Sequence, residues 1–186
     1  WHAQGITFEA VITGALKRHA QTLAGIQAGM GTQHEATVWP GLNEYDADAI
    51  IRAIQPGELV KPTTPEGYKQ HFRLLRDGLT QWMNGVLTPK GMPTYDNFVD
   101  GITSALDHVR KQHTGDVLLV SSGGPIATLV GHLLCTPPET TIELNLRIRN
   151  TALTEFVFTP KRHMLLTYNT LPHLDDKSLE SWVTYA

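Results

Sequence analysis

An α/β fold is predicted by two strand–turn–helix units, one from Phe8 to Ile26 and one from Val117 to Leu134, and by an alternating hairpin over 152–169. A buried strand followed at once by a helix is the repeating unit of parallel β/α architecture, and an antiparallel hairpin makes the expected sheet a mixed one. With 186 residues, 41% of them hydrophobic and 18% charged, the chain holds enough apolar material for one core, so residues 1–186 are read as a single domain.

Phe8 to Thr13 reads as a strand that Gly14 breaks, after which Ala15 to Ile26 takes up helical spacing with Leu16, Leu23 and Ile26 on one face. Arg18 falls within the first turn or two of that helix, at the end of the sheet where ligands collect. The helix dipole disfavours a cation there; an anion ligand explains the placement, and so does simple solvent exposure. Thr37-Val38-Trp39 is a short strand closed by Pro40-Gly41. Asp46 caps the helix Ala47 to Ile54, and Glu44 stands on the loop before it, where a solitary carboxylate is ordinarily a surface group.

Pro56-Gly57 and Lys61 to Pro65 mark loops, and periodicity resumes at once, so no domain boundary is placed there. Tyr68, Phe72, Leu75, Leu79, Trp82 and Val86 form a helical stripe read as core packing. Thr94 or Asp96 starts a second helix, with Phe98, Ile102, Ala105 and Val109 on its buried face. Val117 to Val120 suits a central strand covered on both faces, and Pro125 sits near the first turn of the helix that follows. Between them, the N–H groups of Ser122, Gly123 and Gly124 suit an anion such as phosphate, although a plain turn of capping residues accounts for the same letters. Cys135 ends that helix in a packing role, Thr141 to Arg149 is read as extended, and Leu174, Leu179 and Trp182 dock the tail loosely.

Composition excludes several classes. A net charge of −3 gives no electrostatic reason to expect nucleic acid or an anionic membrane. No apolar run approaches a membrane span, no signal peptide is visible, and the single cysteine cannot form an internal disulfide; together these point to a cytoplasmic setting. Leu119 and Val120 occupy the places where a nucleophile elbow needs glycine. Without a Walker loop, a dinucleotide glycine pattern or clustered Cys/His spacing, no metal or cofactor is expected. The nine histidines are scattered, and position alone marks none of them as catalytic.

Taken in order, the pieces resemble the histidine phosphatase superfamily. Val11-Ile12-Thr13-Gly14-Ala15-Leu16-Lys17-Arg18-His19-Ala20-Gln21-Thr22 is similar to the family segment Ser-Ser-Pro-Leu-x-Arg-Ala-x-x-Thr. Leu42-Asn43-Glu44 resembles Leu-x-Glu, Val120 to Ile126 resembles Val-Ser-His-Gly-Gly-x-Ile, and Asn150 and His173-Leu174 are further family-like features. The resemblance implies a three-layer α/β/α, phosphoglycerate mutase-like fold with a mostly parallel mixed sheet. It also implies phosphoryl transfer through a phosphohistidine, most readily as a phosphatase acting on small phosphate esters. By the same resemblance Glu44 is the proton donor, and Arg18, Ser121, Ser122 and Gly123 bind phosphate.

Two departures accompany it. The family's Arg-His-Gly strand, which carries the nucleophile, is absent, so a strand and helix are expected upstream of Trp1 and the 186 residues alone are expected to be inactive. That strand is expected beside Thr13 and Ser121, which predicts an apolar groove between Val11–Thr13 and Val117–Ser121. The second departure is Ser122, which stands where the family has a second histidine; a hydroxyl carries no charge. A binding or interaction protein that keeps the fold and an anion pocket is therefore the competing reading. The expected partner is phosphate or a small phosphorylated metabolite; the oligomeric state stays open, a homodimer included, since no leftover apolar stripe defines a dimer face.

Overall fold

The computed structural model describes residues 1–57 and 61–185. Three short strands, β1 (Ala10–Thr13), β2 (Thr37–Val38) and β3 (Val117–Val120), form a parallel sheet in the order β2-β1-β3. Helix α1 (Lys17–Met30) follows β1, and α5 (Gly123–Leu134) follows β3. Between them lie α2 (Ala47–Ile54), α3 (Pro65–Met83) and α4 (Tyr95–Gln112). After α5 come α6 (Pro138–Leu146) and an antiparallel hairpin, β4 (Leu153–Thr159) with β5 (Arg162–Thr170).

Alternation along the strands divides the core in two. Val11, Leu118 and Val120 face α1 and pack with Leu23 and Ile26. Ile12, Val117 and Leu119 point the other way into the larger cluster built from α2 to α6, centred on Ile50, Ile51, Leu79, Trp82 and Ile102. The predicted helix caps are present: Asp46 accepts from the Ala49 N–H at 2.9 Å, and Thr94 accepts from the Asn97 N–H at 3.3 Å.

Several expectations are corrected. The groove predicted between the first strand and Val117–Ser121 does not exist, because the two strands pair directly, with Ala10 opposite Val117 and Thr13 opposite Val120. The Gly14 N–H extends the pairing to the Val120 carbonyl at 3.0 Å. Pairing satisfies the backbone groups on that side, so the open edge of β3 is its other one. A groove lies there instead, lined by Leu118, Leu119 and Val120 on one side and by Ala152 and Leu153 on the other. The expected mixed sheet is accordingly two sheets, one parallel and one a hairpin, and Val117 to Leu119 are only partly buried.

Thr141 to Arg149 is not extended. Pro138 fixes the first turn of α6, Ile142 is buried with Leu146 packed beside it, and the Thr141 and Thr136 hydroxyls satisfy each other at 2.8 Å. Cys135 is exposed rather than packed; it leaves α5 in the left-handed conformation at φ 53°. The expected stripe is core only in its middle: Leu75, Leu79 and Trp82 are buried, Tyr68 and Phe72 are exposed, and Val86 is exposed beyond the end of α3 at Met83.

Candidate functional site

Two parallel strands end side by side, and the turns that leave them converge. After β1, Asn43 Oδ1 accepts the Ala15 N–H at 2.6 Å, which pins the start of α1 to the loop that carries Glu44. Arg18 and His19 lie in the first turn of α1 and reach toward the turn after β3. There, Ser122 is the N-cap residue of α5, yet its hydroxyl does not cap the helix. It is turned outward: Arg18 Nε donates to Ser122 Oγ at 3.0 Å, and His19 Nε2 lies 2.6 Å from the same oxygen.

Glu44 closes the third side. Its Oε2 accepts the Gly124 N–H at 3.0 Å and its Oε1 the Tyr45 N–H at 3.2 Å. A side chain at Gly124 would overlap that carboxylate and the Tyr45 ring, which explains the glycine by space alone. Burial raises the Glu44 pKa above its ordinary value, while the two N–H donors and the nearby Arg18 charge oppose the rise. His19, only 1% exposed, is shifted the other way: burial and the Arg18 charge hold its pKa below the usual histidine value, against a smaller opposing effect of the Gly14 backbone. Its Nδ1 is buried close to Gly14 but outside hydrogen-bonding geometry.

Four of the five residues singled out from sequence are thus brought together with their polar groups facing one space. Arg18 and Ser122 touch, Glu44 holds the adjacent turn, and Gly123 opens α5 between Ser122 and Gly124. Ser121 differs. Its hydroxyl donates to the Leu42 carbonyl at 2.8 Å, a bond that ties the two loops together. Of the three amides proposed for an anion, that of Gly124 is already taken by Glu44. Sequence reasoning missed His19; its only signal was a histidine standing where the quoted family segment has alanine.

The residues open onto a groove of about 970 Å³ that continues along the free edge of β3. Its far wall is formed by Ile148 to Leu153, Pro172 and His173. Thr151 Oγ1 and His173 Nε2 are 2.9 Å apart, and the Asn150 amide donates to Thr184 Oγ1 at 2.9 Å, so both family-like residues brace this wall. Among the described residues, no group of three or more His, Cys, Asp or Glu side chains is arranged to hold a metal ion, and no helix is long and apolar enough to cross a membrane.

A sequence profile of the histidine phosphatase superfamily (branch 1) matches residues 2–171. The chain belongs to that superfamily. No curated protein sequence matches it significantly. Several solved structures share its fold. A histidine-to-alanine mutant of phosphoserine phosphatase from Entamoeba histolytica, in complex with phosphoserine, superposes with a TM-score of 0.61 at 20% identity, over 93% of this chain and 80% of that one. Phosphoglycerate mutase from Bacillus anthracis gives 0.59 at 17% identity, over 90% and 75%. A mycobacterial glucosyl-3-phosphoglycerate phosphatase gives 0.56 at 17% identity, over 87% and 77%. This histidine phosphatase superfamily member therefore has an α/β fold of the phosphoglycerate mutase-like kind.

Proposed function

We propose that the intact protein is a phosphoryl-transfer enzyme, a phosphatase of small phosphate esters that works through a phosphohistidine whose histidine lies upstream of Trp1. The observation that carries this reading is the meeting of Arg18, Glu44 and Ser122 at one end of the groove, with Arg18 Nε 3.0 Å from Ser122 Oγ and Glu44 bonded to the Gly124 amide. The open edge of β3 supports the upstream strand, because an added strand there satisfies unpaired backbone groups and brings its C-terminal end to the same turn.

In the first step the imidazole nitrogen attacks phosphorus, the P–O bond to the alcohol breaks, and the Glu44 carboxyl gives its proton to the departing oxygen. Its raised pKa suits that role. In the second step the Glu44 carboxylate takes a proton from water as the water oxygen bonds to phosphorus, the P–N bond breaks, and inorganic phosphate and the free imidazole are released. Arg18, the Ser122 hydroxyl and the Gly123 amide hold the phosphoryl oxygens, and their fixed positive charge and dipoles lower the barrier. By this reading residues 1–186 alone turn over no ester.

Ser122 favours a second reading, a phosphate-binding protein without turnover, because a hydroxyl stands where the family segment has histidine. Ester hydrolysis by the full-length protein separates the two. Turnover that vanishes with the upstream histidine and falls with Glu44→Gln supports the enzyme. Oxyanion binding without turnover, in both wild type and Ser122→His, supports the binding protein.

A further inference from the structure

Resting on the phosphate-site reading above, we propose that His19 is the charge-supplying imidazole of this site: through the Ser122 hydroxyl, it takes up a proton when a tetrahedral oxyanion binds. Ser122 Oγ has two nitrogen neighbours. Arg18 Nε can only donate, so at 3.0 Å it uses a lone pair of Ser122 Oγ. Oγ keeps a second lone pair and its own proton; with that proton directed to His19 Nε2 at 2.6 Å, the nitrogen is the acceptor and the neutral ring carries its proton on Nδ1.

Beside Ser122, the ring's polar neighbour is the Gly14 backbone near Nδ1. The ring is 1% exposed, and among the described residues Nδ1 has no partner in hydrogen-bonding geometry and Nε2 has Ser122 Oγ alone. A buried imidazole kept for packing alone would be better replaced by an apolar group. Residue types at the two touching positions are also exchanged relative to the family segments quoted above. There, a small residue follows the helix arginine and histidine follows the strand; here His19 follows Arg18 and the small Ser122 follows β3. The imidazole stands across the contact, on the helix rather than at the strand end.

Anion binding reverses the hydrogen bond. The Ser122 O–H turns to donate to an anion oxygen, which leaves Oγ facing Nε2 with a lone pair. One proton from solvent binds Nε2, and the resulting imidazolium donates to Oγ. Charge balances as one proton per anion. The ionisable groups facing this point are Arg18 from α1, Glu44 from the loop ahead of α2, and Arg149 and His173 across the groove. In the turn between β3 and α5, Ser121 to Gly124 contribute no ionisable side chain. Without an anion, Arg18 and burial hold the ring neutral; a bound dianion offsets both.

Sulfate is the probe, because it has the tetrahedral shape of phosphate and does not itself titrate near neutral pH. Calorimetry of sulfate binding to the full-length protein above pH 7, in buffers of different ionisation enthalpy, counts the protons taken up. The expected result is close to one proton per sulfate, with affinity falling about tenfold per pH unit. His19→Gln, which can still reach Ser122 with an amide, is expected to bind sulfate more weakly, without proton uptake and without that pH dependence. His173→Gln is expected to keep the uptake.

Sulfate binding to wild type without proton uptake, or uptake unchanged in His19→Gln, overturns the role of His19 and leaves the phosphate site standing. No sulfate binding by wild type overturns both. If His19→Gln does not fold, ring-nitrogen NMR shifts of His19 in wild type decide. A change from neutral to imidazolium on sulfate addition supports the proposal, and a ring that stays neutral overturns it.

Discussion

Glu44 and Gly124 are joined by a carboxylate-to-amide hydrogen bond of 3.0 Å, which ties the loop before α2 to the first turn of α5. The bond uses the N–H that a helix leaves unpaired and places an acidic group at the positive end of the helix dipole. Surrounding burial still outweighs it, so the Glu44 pKa stands above the ordinary 4.5.

The sign of the resulting stability effect follows directly. A raised pKa means the fold favours the protonated carboxyl. Ionisation costs nothing below the unfolded value of 4.5, and the penalty grows as pH rises through the interval up to the folded value and persists above it. Glu44→Gln keeps an acceptor for Gly124 but cannot ionise. Denaturant unfolding is expected to find it more stable than wild type at neutral pH and no more stable below pH 4.5. On the proposed phosphatase reading, the same substitution in the full-length protein is expected to cost about 10²–10⁴ in kcat, the range for a lost general acid.

Arg18 is exposed and contacts Ser122 through Nε rather than through charge alone. Arg18→Ala is expected to lower kcat/KM by about 10²–10³, with Arg18→Lys between it and wild type, because lysine keeps the charge and loses the fork. Unfolding free energies of both variants should stay within about 0.5 kcal/mol of wild type, as for other surface changes.

Gly41 sits against the backbone of Gly101 in α4, and a Cβ at Gly41 would overlap the Gly101 carbonyl. Backbone cannot swing aside as a side chain does. Gly41→Ala is expected to destabilise by about 1–3 kcal/mol, measured by denaturant unfolding. Because Gly41 belongs to the short 3₁₀ turn Pro40–Leu42 just ahead of Glu44, activity should fall as well.

At the start of α2, Asp46→Ala is expected to cost about 1 kcal/mol by removing the cap on Ala49, whereas Asp46→Asn should be nearly neutral. The same unfolding measurement checks both.

What was legible in the sequence was local. Asp46 and Thr94 announce their helices because a cap bonds within three residues of itself, and Val11–Thr13 and Val117–Val120 announce strands by apolar branching. Strand order was not legible. Which neighbour a strand takes depends on partners far along the chain, so β3 was assigned to the wrong side of the gap. Thr141 and Ile142 read as extended because their branched side chains favour strands, and burial of Ile142 in the core together with Pro138 at the helix start overrode that preference. Arg18, Glu44 and Ser122 were legible as candidates because they stand in quoted family segments. His19 was not, since its contact with Ser122 spans 103 positions and leaves no local pattern.

The groove beside β3 also sets how the molecule comes apart. Among the described residues no ladder bond crosses from the parallel sheet to the hairpin, so side chains hold β4 and β5 to the body, among them Phe156 and Phe158 against the core and the Tyr168 hydroxyl on the Leu144 carbonyl at 2.8 Å. Opening the hairpin breaks none of the β1–β3 pairing. Its amides should therefore exchange with solvent through a partial unfolding that leaves β1 protected. A strand seated in the groove fuses the two sheets and makes their unfolding a single event.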